Sequence, residues 1–378
     1  MSVEPSQRPD LRRFLRSSSG WPYLLVPFIP LAIALDLAHV SPTIIFFSSA
    51  LGVIPTAALM GRATEELAAR SGPGIGGLLN VTFGNAPELI IALFALEAGL
   101  HEVVKASIIG SVIGNVLLVL GASMFVGGLG RDRQLFSRTT ATAQSSMLLL
   151  AVVAMMMPAI FELVEGQGLP SPGSELINYD STVEQLSLAV AVVLILSYVA
   201  GLVFSLRTHR DLFNPESDKD EHEGEPWSVR RSIGALALAG VAVGVMSEIL
   251  VGSISEAATS IGLTEFFVGA IVVAIVGNAA EHWVAVLVAR KDKMDLAVNI
   301  AIGSGAQIAL FVAPVLVFAS FVLGPGPMPL VFNGFELGAV FLAVLIAIHV
   351  TSEGESNWFE GIQLLAVYAV VALAFAFA

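Results

Sequence analysis

The stretch Asn80-Val81-Thr82-Phe83-Gly84-Asn85-Ala86-Pro87-Glu88 has a counterpart 193 residues later, where Gly277-Asn278-Ala279-Ala280-Glu281 repeats its core. The correspondence extends well beyond the motif. Residues 76–121 and 269–314 align without a gap at that offset, so Gly76 meets Gly269, and Ile109-Gly110-Ser111 meets Ile302-Gly303-Ser304. A match that keeps phase over two consecutive apolar stretches marks a duplicated unit.

Both copies sit in segments that read as membrane spans. Of the 378 residues, 56% are hydrophobic and 13% charged, whereas an ordinary soluble domain carries about 25% charged residues. A span needs about 20 mostly apolar residues. Eleven such stretches are predicted, near 21–40, 43–68, 74–98, 102–129, 138–162, 183–206, 231–259, 265–289, 295–323, 330–350 and 357–377. The first is read as a span rather than a cleaved leader, because it lacks a convincing small-residue cleavage site. With no cysteine, the chain has no disulfide, thiolate metal site or thiol nucleophile. A net charge of −13 argues against nucleic-acid binding.

Lys and Arg set the orientation. With the N-terminus in the cytoplasm and the C-terminus outside, every basic residue of the 18 except Lys105 falls on the cytoplasmic side, as the positive-inside rule asks. The loop at 351–356 has no basic residue, so the last two spans rest on hydropathy alone. The motif spans are the third and the eighth. They therefore cross in opposite directions, and the repeat is inverted. The expected plan is a cytoplasmic segment 1–20, an extra span 21–40, a first five-helix repeat 43–206, an acidic cytoplasmic linker 207–230 and a second repeat 231–378. Inverted repeats with a site at mid-membrane are a transporter architecture. The linker carries Asp211, Glu216, Asp218, Asp220, Glu221, Glu223 and Glu225, with His209 and His222. It reads as a solvated loop or as a cation-gathering segment, and it lacks the spacing of an EF-hand.

Glu88 and Glu281 both fall near mid-membrane, where an acid costs about 2.5–3.5 kcal/mol. Two such residues at equivalent positions point to function. Asn85 and Glu88 share a helix face, as do Asn278 and Glu281. Gly84 and Gly277 weaken their helices, and Pro87 also removes a backbone donor, freeing the Phe83 carbonyl. In the second copy Ala280 replaces the proline, so a kink there rests on Gly277 alone. The next spans add Ser111 and Asn115 in one half and Ser304 and Gln307 in the other. An oxygen-rich, acidic set without soft ligands suits a hard cation, Ca²⁺ first and Mn²⁺ next. Two glutamates offer at most four oxygens, so the asparagines, carbonyls near Gly84 and Gly277, or water must complete the shell. Proton and cation then compete for the same carboxylates, which is exchange chemistry. His282 is placed to relay or sense protons. Glu65, Glu66, Glu248 and Glu256 are candidate vestibule acids, while Asp36 and Glu336 lie near span ends and are expected to reach water. A passive cation channel with a glutamate-pair filter is the rival reading. An intramembrane hydrolase fits poorly, because its acids would not be duplicated.

These residues resemble the two signatures of the cation/proton exchanger (CAX) family, in the calcium/cation antiporter superfamily. The first is Asn80 to Glu88 followed by Leu89-Ile90, and the second is Val276 to His282. The resemblance extends to Ala63-Thr64-Glu65-Glu66-Leu67, to Gly110-Ser111 with Asn115, and to Gly303-Ser304 with Gln307. It implies an all-α protein of eleven transmembrane helices, with two inverted repeats and kinked central helices, in a prokaryotic plasma membrane. It further implies Ca²⁺/H⁺ antiport with Glu88 and Glu281 as the exchanging carboxylates. Ca²⁺ is then substrate, with no organic cofactor, and the expected partners are lipid, Ca²⁺, H⁺ and further copies of the chain. The family varies in its choice among Ca²⁺, Mn²⁺, Na⁺ and K⁺, so a monovalent cation/H⁺ antiporter stays open.

Overall fold

The computed structural model describes residues 20–172, 179–208 and 227–378. The acidic run from Asp211 to Glu225 and the basic residues Arg8 to Arg16 lie outside them. A short 3₁₀ turn, Trp21–Leu25, leads into α1 (Phe28–Leu37), followed by α2 (Pro42–Arg70), α3 (Gly72–Gly84) and α4 (Ala86–Glu97). Then come α5 (His101–Gly128), α6 (Arg138–Val164), α7 (Ser181–Thr208) and α8 (Val229–Ile261). The chain ends with α9 (Glu265–Arg290), α10 (Met294–Ser320), α11 (Gly334–Thr351) and α12 (Trp358–Ala376). Among the described residues nine helices are long and apolar enough to cross a membrane, or ten if α3 and α4 count as one bent span. Trp21–Leu37 is apolar but shorter, so the eleventh span stays an expectation.

The layering follows burial. The apolar window of α5 is 94% buried and that of α10 72%, against 22% for α7 and 17% for α12. The central helices are thus the ones that follow the motif spans, and α7 and α12 present apolar side chains outward, as a lipid-facing helix must. α5 and α9 cross closely because both lack side chains at the contact. A Cβ on Gly110 would run into the Ala270 carbonyl, and one on Gly269 would stand 2.8 Å from the Val103 carbonyl. Small residues at such crossings let backbones meet.

The duplication is visible in the backbone. α5 contains a π-helical segment at Gly114–Val119, and α10 contains one at Ile308–Val312. At the offset of 193 the first maps onto 307–312, so the two overlap and end at equivalent residues.

The connections gather into two sets. At one end a two-stranded antiparallel ladder joins β1 (Gln134–Leu135), between α5 and α6, to β2 (Glu355–Ser356), between α11 and α12. Arg131, in the same connection, pairs with Asp292 at 3.3 Å and donates to the Arg290 carbonyl at 3.2 Å, which brings in the α9–α10 connection. Asp292 has a φ of 65°, a left-handed conformation that Asp tolerates better than most residues. The basic-free loop at 351–356 therefore sits with its Arg-rich neighbours. At the other end, a Cβ on Gly324, between α10 and α11, would run into the Leu96 carbonyl beside the α4–α5 turn. From there residues 328–333 run buried between helices, their backbone held by side chains: Ser320 takes the Met328 N–H and Ser187 the Leu330 N–H.

That buried connection corrects one expectation. Glu336, placed near water by its position in the span, is 2% exposed. Its side chain closes a capping box with Asn333 at the start of α11.

Candidate cation-binding site

The first motif span is broken at its motif. α3 ends at Gly84, Asn85 leaves the helix at φ −94° and ψ 17°, and α4 resumes at Ala86, bent by 42°. Pro87 is in the first turn of α4, where a backbone N–H has no intrahelical partner to lose. The Phe83 carbonyl, which residue 87 cannot serve, accepts the Asn85 N–H instead. Glu88 is therefore delivered from the start of a half-helix. In the second copy α9 runs through Gly277 and Asn278 without a break, and its irregularity lies earlier, in the π segment Val268–Val273. Gly277 alone does not kink the helix, because Ala280 keeps its N–H.

The two motifs meet reciprocally. A Cβ placed on Gly84 would stand 3.2 Å from Glu281 Oε1, and one placed on Gly277 would stand 3.3 Å from Glu88 Cγ. Each carboxylate lies against the glycine of the other half. Exchanging the halves maps one contact onto the other, as a two-fold relation requires. The two carboxylates are close enough for their charges to act on one another.

Hydrogen bonds orient the neutral polar side chains around the pair. Asn278 Nδ2 donates to the Ala274 carbonyl at 3.0 Å and to Ser111 Oγ at 3.2 Å. A carbonyl can only accept, so this fixes the amide with its oxygen turned away. Asn85 Nδ2 donates to Gln307 Oε1 at 2.6 Å, and Ser304 Oγ donates to Glu281 Oε2 at 2.8 Å. The oxygens left over are Asn85 Oδ1, Asn278 Oδ1 and Glu88 Oε2, all buried and without a partner. Leaving such atoms unmatched costs about 1–3 kcal/mol each. Buried oxygens with nothing to accept from are the ligand type that a hard cation takes. Among the described residues no three His, Asp or Glu side chains converge on one point.

The remaining expected residues divide. Asn115 is wholly buried on the π segment of α5, and neither end of its amide has a partner. Glu65 is exposed near the end of α2, and its charge reaches Glu281. Glu66 turns aside and accepts the Trp227 N–H at 2.9 Å. Glu248 and Glu256 are exposed on α8 and make none of the site's hydrogen bonds. His282 projects about 100° around α9 from Glu281, and its Nε2 has no partner.

Sequence reading missed Ser107. It lines a cavity on α5 together with Glu88, Ser111 and Ala274. Its repeat equivalent is Ile300, so a search for duplicated polar residues passes over it. Its spacing of four from Ser111, one helical turn, was the available signal.

Fold and site together define a membrane protein of the sodium/calcium exchanger family. The chain belongs to that family, "sodium/calcium exchanger protein", which matches residues 41–207 and again residues 231–377. Among its relatives, the Ca(2+)/H(+) antiporter of Synechocystis sp. is 47% identical over 94% of this chain and 96% of its own length. The Ca(2+)/H(+) antiporter ChaA of Bacillus subtilis is 46% identical over 93% of this chain and 97% of its own. Of solved structures, native YfkE superposes with a TM-score of 0.79 at 40% identity, over 94% of this chain and 100% of that one. The H+/Ca2+ exchanger CAX, at 15% identity, shares the fold with a TM-score of 0.70, over 96% of this chain and 93% of that one.

Proposed function

We propose that this chain is a secondary antiporter that exchanges cytosolic Ca²⁺ for H⁺ by alternating access. Glu88 and Glu281 bind either the cation or protons. Asn85, Asn278 and carbonyls at Gly84 and Gly277 complete the cation shell, Ser111, Ser304 and Gln307 hold those ligands in place, and Asn115 lends its amide from the next turn of α5. His282 assists proton coupling beside Glu281. The reading includes eleven spans in a plasma membrane, with the N-terminus and the end bearing the β1–β2 ladder in the cytoplasm. Spans 2–6 and 7–11 are its two inverted halves, and Glu65 lines the cytoplasmic approach.

The observation that carries it is the reciprocal placement of each glutamate on the opposite half's glycine, beside three unpartnered oxygens. Two related halves around one acidic centre can exchange conformations, which a fixed pore does not need. Homologues named Ca(2+)/H(+) antiporters support the choice of ions. The test is Ca²⁺ uptake into reconstituted vesicles. A pH gradient should drive uptake, and Glu88→Gln or Glu281→Gln should abolish it. Flux that ignores the gradient and follows voltage alone would make the protein a channel. Competition with Mn²⁺, Na⁺ and K⁺ in the same vesicles fixes the selectivity.

A further inference from the structure

A second group of titratable side chains lies away from the Glu88–Glu281 centre. His101 is 1% exposed, Glu102 9%, Lys105 5% and Glu336 2%. The first three come from the start of α5, in the first half of the chain. Glu336 comes from the start of α11, in the second. Lys105 sits among them. Its Nζ donates to the Val331 carbonyl at 3.1 Å and lies 5.7 Å from the centre of the Tyr179 ring. Its charge acts on both Glu336 and His101, and that of Glu102 also acts on Glu336. Glu336 spends Oε2 on the Asn333 N–H, while its Oε1 is buried without a partner, as is His101 Nε2.

Four buried ionisable groups are expensive at a helix junction that apolar packing could close. Their composition says what they can handle. The centre at Glu88 and Glu281 offers carboxylates and neutral oxygens. The outlying group holds the Lys105 ammonium, whose charge acts on Glu336 and His101 and which repels a divalent cation. A proton is not excluded in this way, because it is passed between neutral and charged forms of Glu and His. The group also has a route to the centre. His101, Lys105 and Ile108 share one face of α5, and Ile108 lines the cavity at Glu88. About 5 Å of helix rise separates Lys105 from Ile108, a gap that water can bridge.

We propose that Glu336, with His101, Glu102 and Lys105, is a proton-transfer station on the side opposite the β1–β2 ladder, passing protons and rejecting Ca²⁺. It rests on the antiport reading above, in which that side faces outward and protons enter there as Ca²⁺ leaves. One proton at a time binds Glu336 Oε1 and is handed by water to Glu88.

The test separates proton-coupled transport from metal handling. Wild-type and Glu336→Gln protein are reconstituted in vesicles of phosphatidylcholine and phosphatidylglycerol. Gln keeps the capping box with Asn333. Two fluxes are measured: Ca²⁺ uptake driven by a pH gradient, and Ca²⁺/Ca²⁺ tracer exchange without one, which moves no net proton. In Glu336→Gln the first should fall at least about tenfold, since a positioned acid contributes that much or more to a proton transfer. The second should stay at the wild-type rate. Glu336→Asp should recover part of the driven uptake. Should Glu336→Gln fail to fold, His101→Gln carries the same comparison. If both fluxes fall together in a variant that folds, the group is structural and the proposal is wrong. It is equally wrong if neither falls. A wild type without pH-driven uptake would overturn the antiport reading and this proposal together, whereas a wild type with it and an unaffected Glu336→Gln overturns this proposal alone.

Discussion

In the first half of the chain the motif span breaks at Asn85 and turns by 42° before Glu88. In the second half α9 carries Gly277, Asn278 and Glu281 through a continuous helix. The polar contacts differ in the same sense. Glu281 is held by Ser304, whereas the equivalent Ser111 is engaged with Asn278 and leaves Glu88 Oε2 without a partner. Asn278 has two acceptors and Asn85 has one. One half is thus braced and the other loose. Nearly identical side chains have been given unequal backbones, and Pro87 against Ala280 is the sequence difference beside the break. In an alternating-access cycle the braced and loose roles are expected to pass between the halves, with Ser111 turning to Glu88 in the opposite-facing state.

The contrast can be broken most forcefully at the proline. Ala280→Pro would remove an N–H from the interior of α9 and should cost about 3 kcal/mol or more. Thermal unfolding in detergent should show the loss, while Pro87→Ala should change the unfolding temperature little. Equal effects would mean that the break at Asn85 does not depend on Pro87. Next in size are the serines. Ser304→Ala should weaken apparent Ca²⁺ affinity by about 10–100-fold, as loss of an orienting partner commonly does. Ser111→Ala should cost less, because Asn278 keeps the Ala274 carbonyl. The reverse ranking in a Ca²⁺ titration of uptake would invert the assignment of the braced half. A smaller effect is expected from adding a methyl group at either motif glycine. Gly277→Ala presses on the Glu88 stem, and Gly84→Ala presses on a Glu281 carboxylate oxygen. Gly84→Ala should therefore raise half-saturation for Ca²⁺ more, since it crowds a ligand atom. The smallest effect is at the ladder end, where Arg133 and Glu355 pair at 3.2 Å with both side chains exposed. Glu355→Gln should change stability by less than about 1 kcal/mol. A larger shift in the unfolding midpoint would show that this contact between the halves matters more than its exposure implies.

Much of this was legible in the sequence because the duplication makes its own argument. Glu88 and Glu281 stand out as acids at apolar depth, and the offset of 193 picks out Asn85, Asn278, Ser111 and Ser304 with them. Side-chain chemistry repeats, so pattern reading finds it. What the pattern hides is whatever the halves do not share. Ser107 has no polar counterpart. Glu336 looked like an acid at a span end, yet it is buried next to the buried connection at 328–333. The unbroken course of α9 could not be read from Gly277, since a glycine permits a kink without requiring one. Glu248 reads as a mid-span acid, yet its face of α8 is exposed, a matter of which neighbours pack where rather than of local sequence.

The paired π segments at Gly114–Val119 and Ile308–Val312 show how loosely backbone follows sequence here. A π turn closes its hydrogen bonds over five residues instead of four, so it holds one residue more than the helix around it. The gapless offset of 193 also runs through a third such segment, Val268–Val273 in α9, whose counterpart in α3 is ordinary helix. One half can therefore take up the wider turn without an inserted residue. The bulges are a property of how each helix packs, and two copies of one ancestral half are free to differ in them.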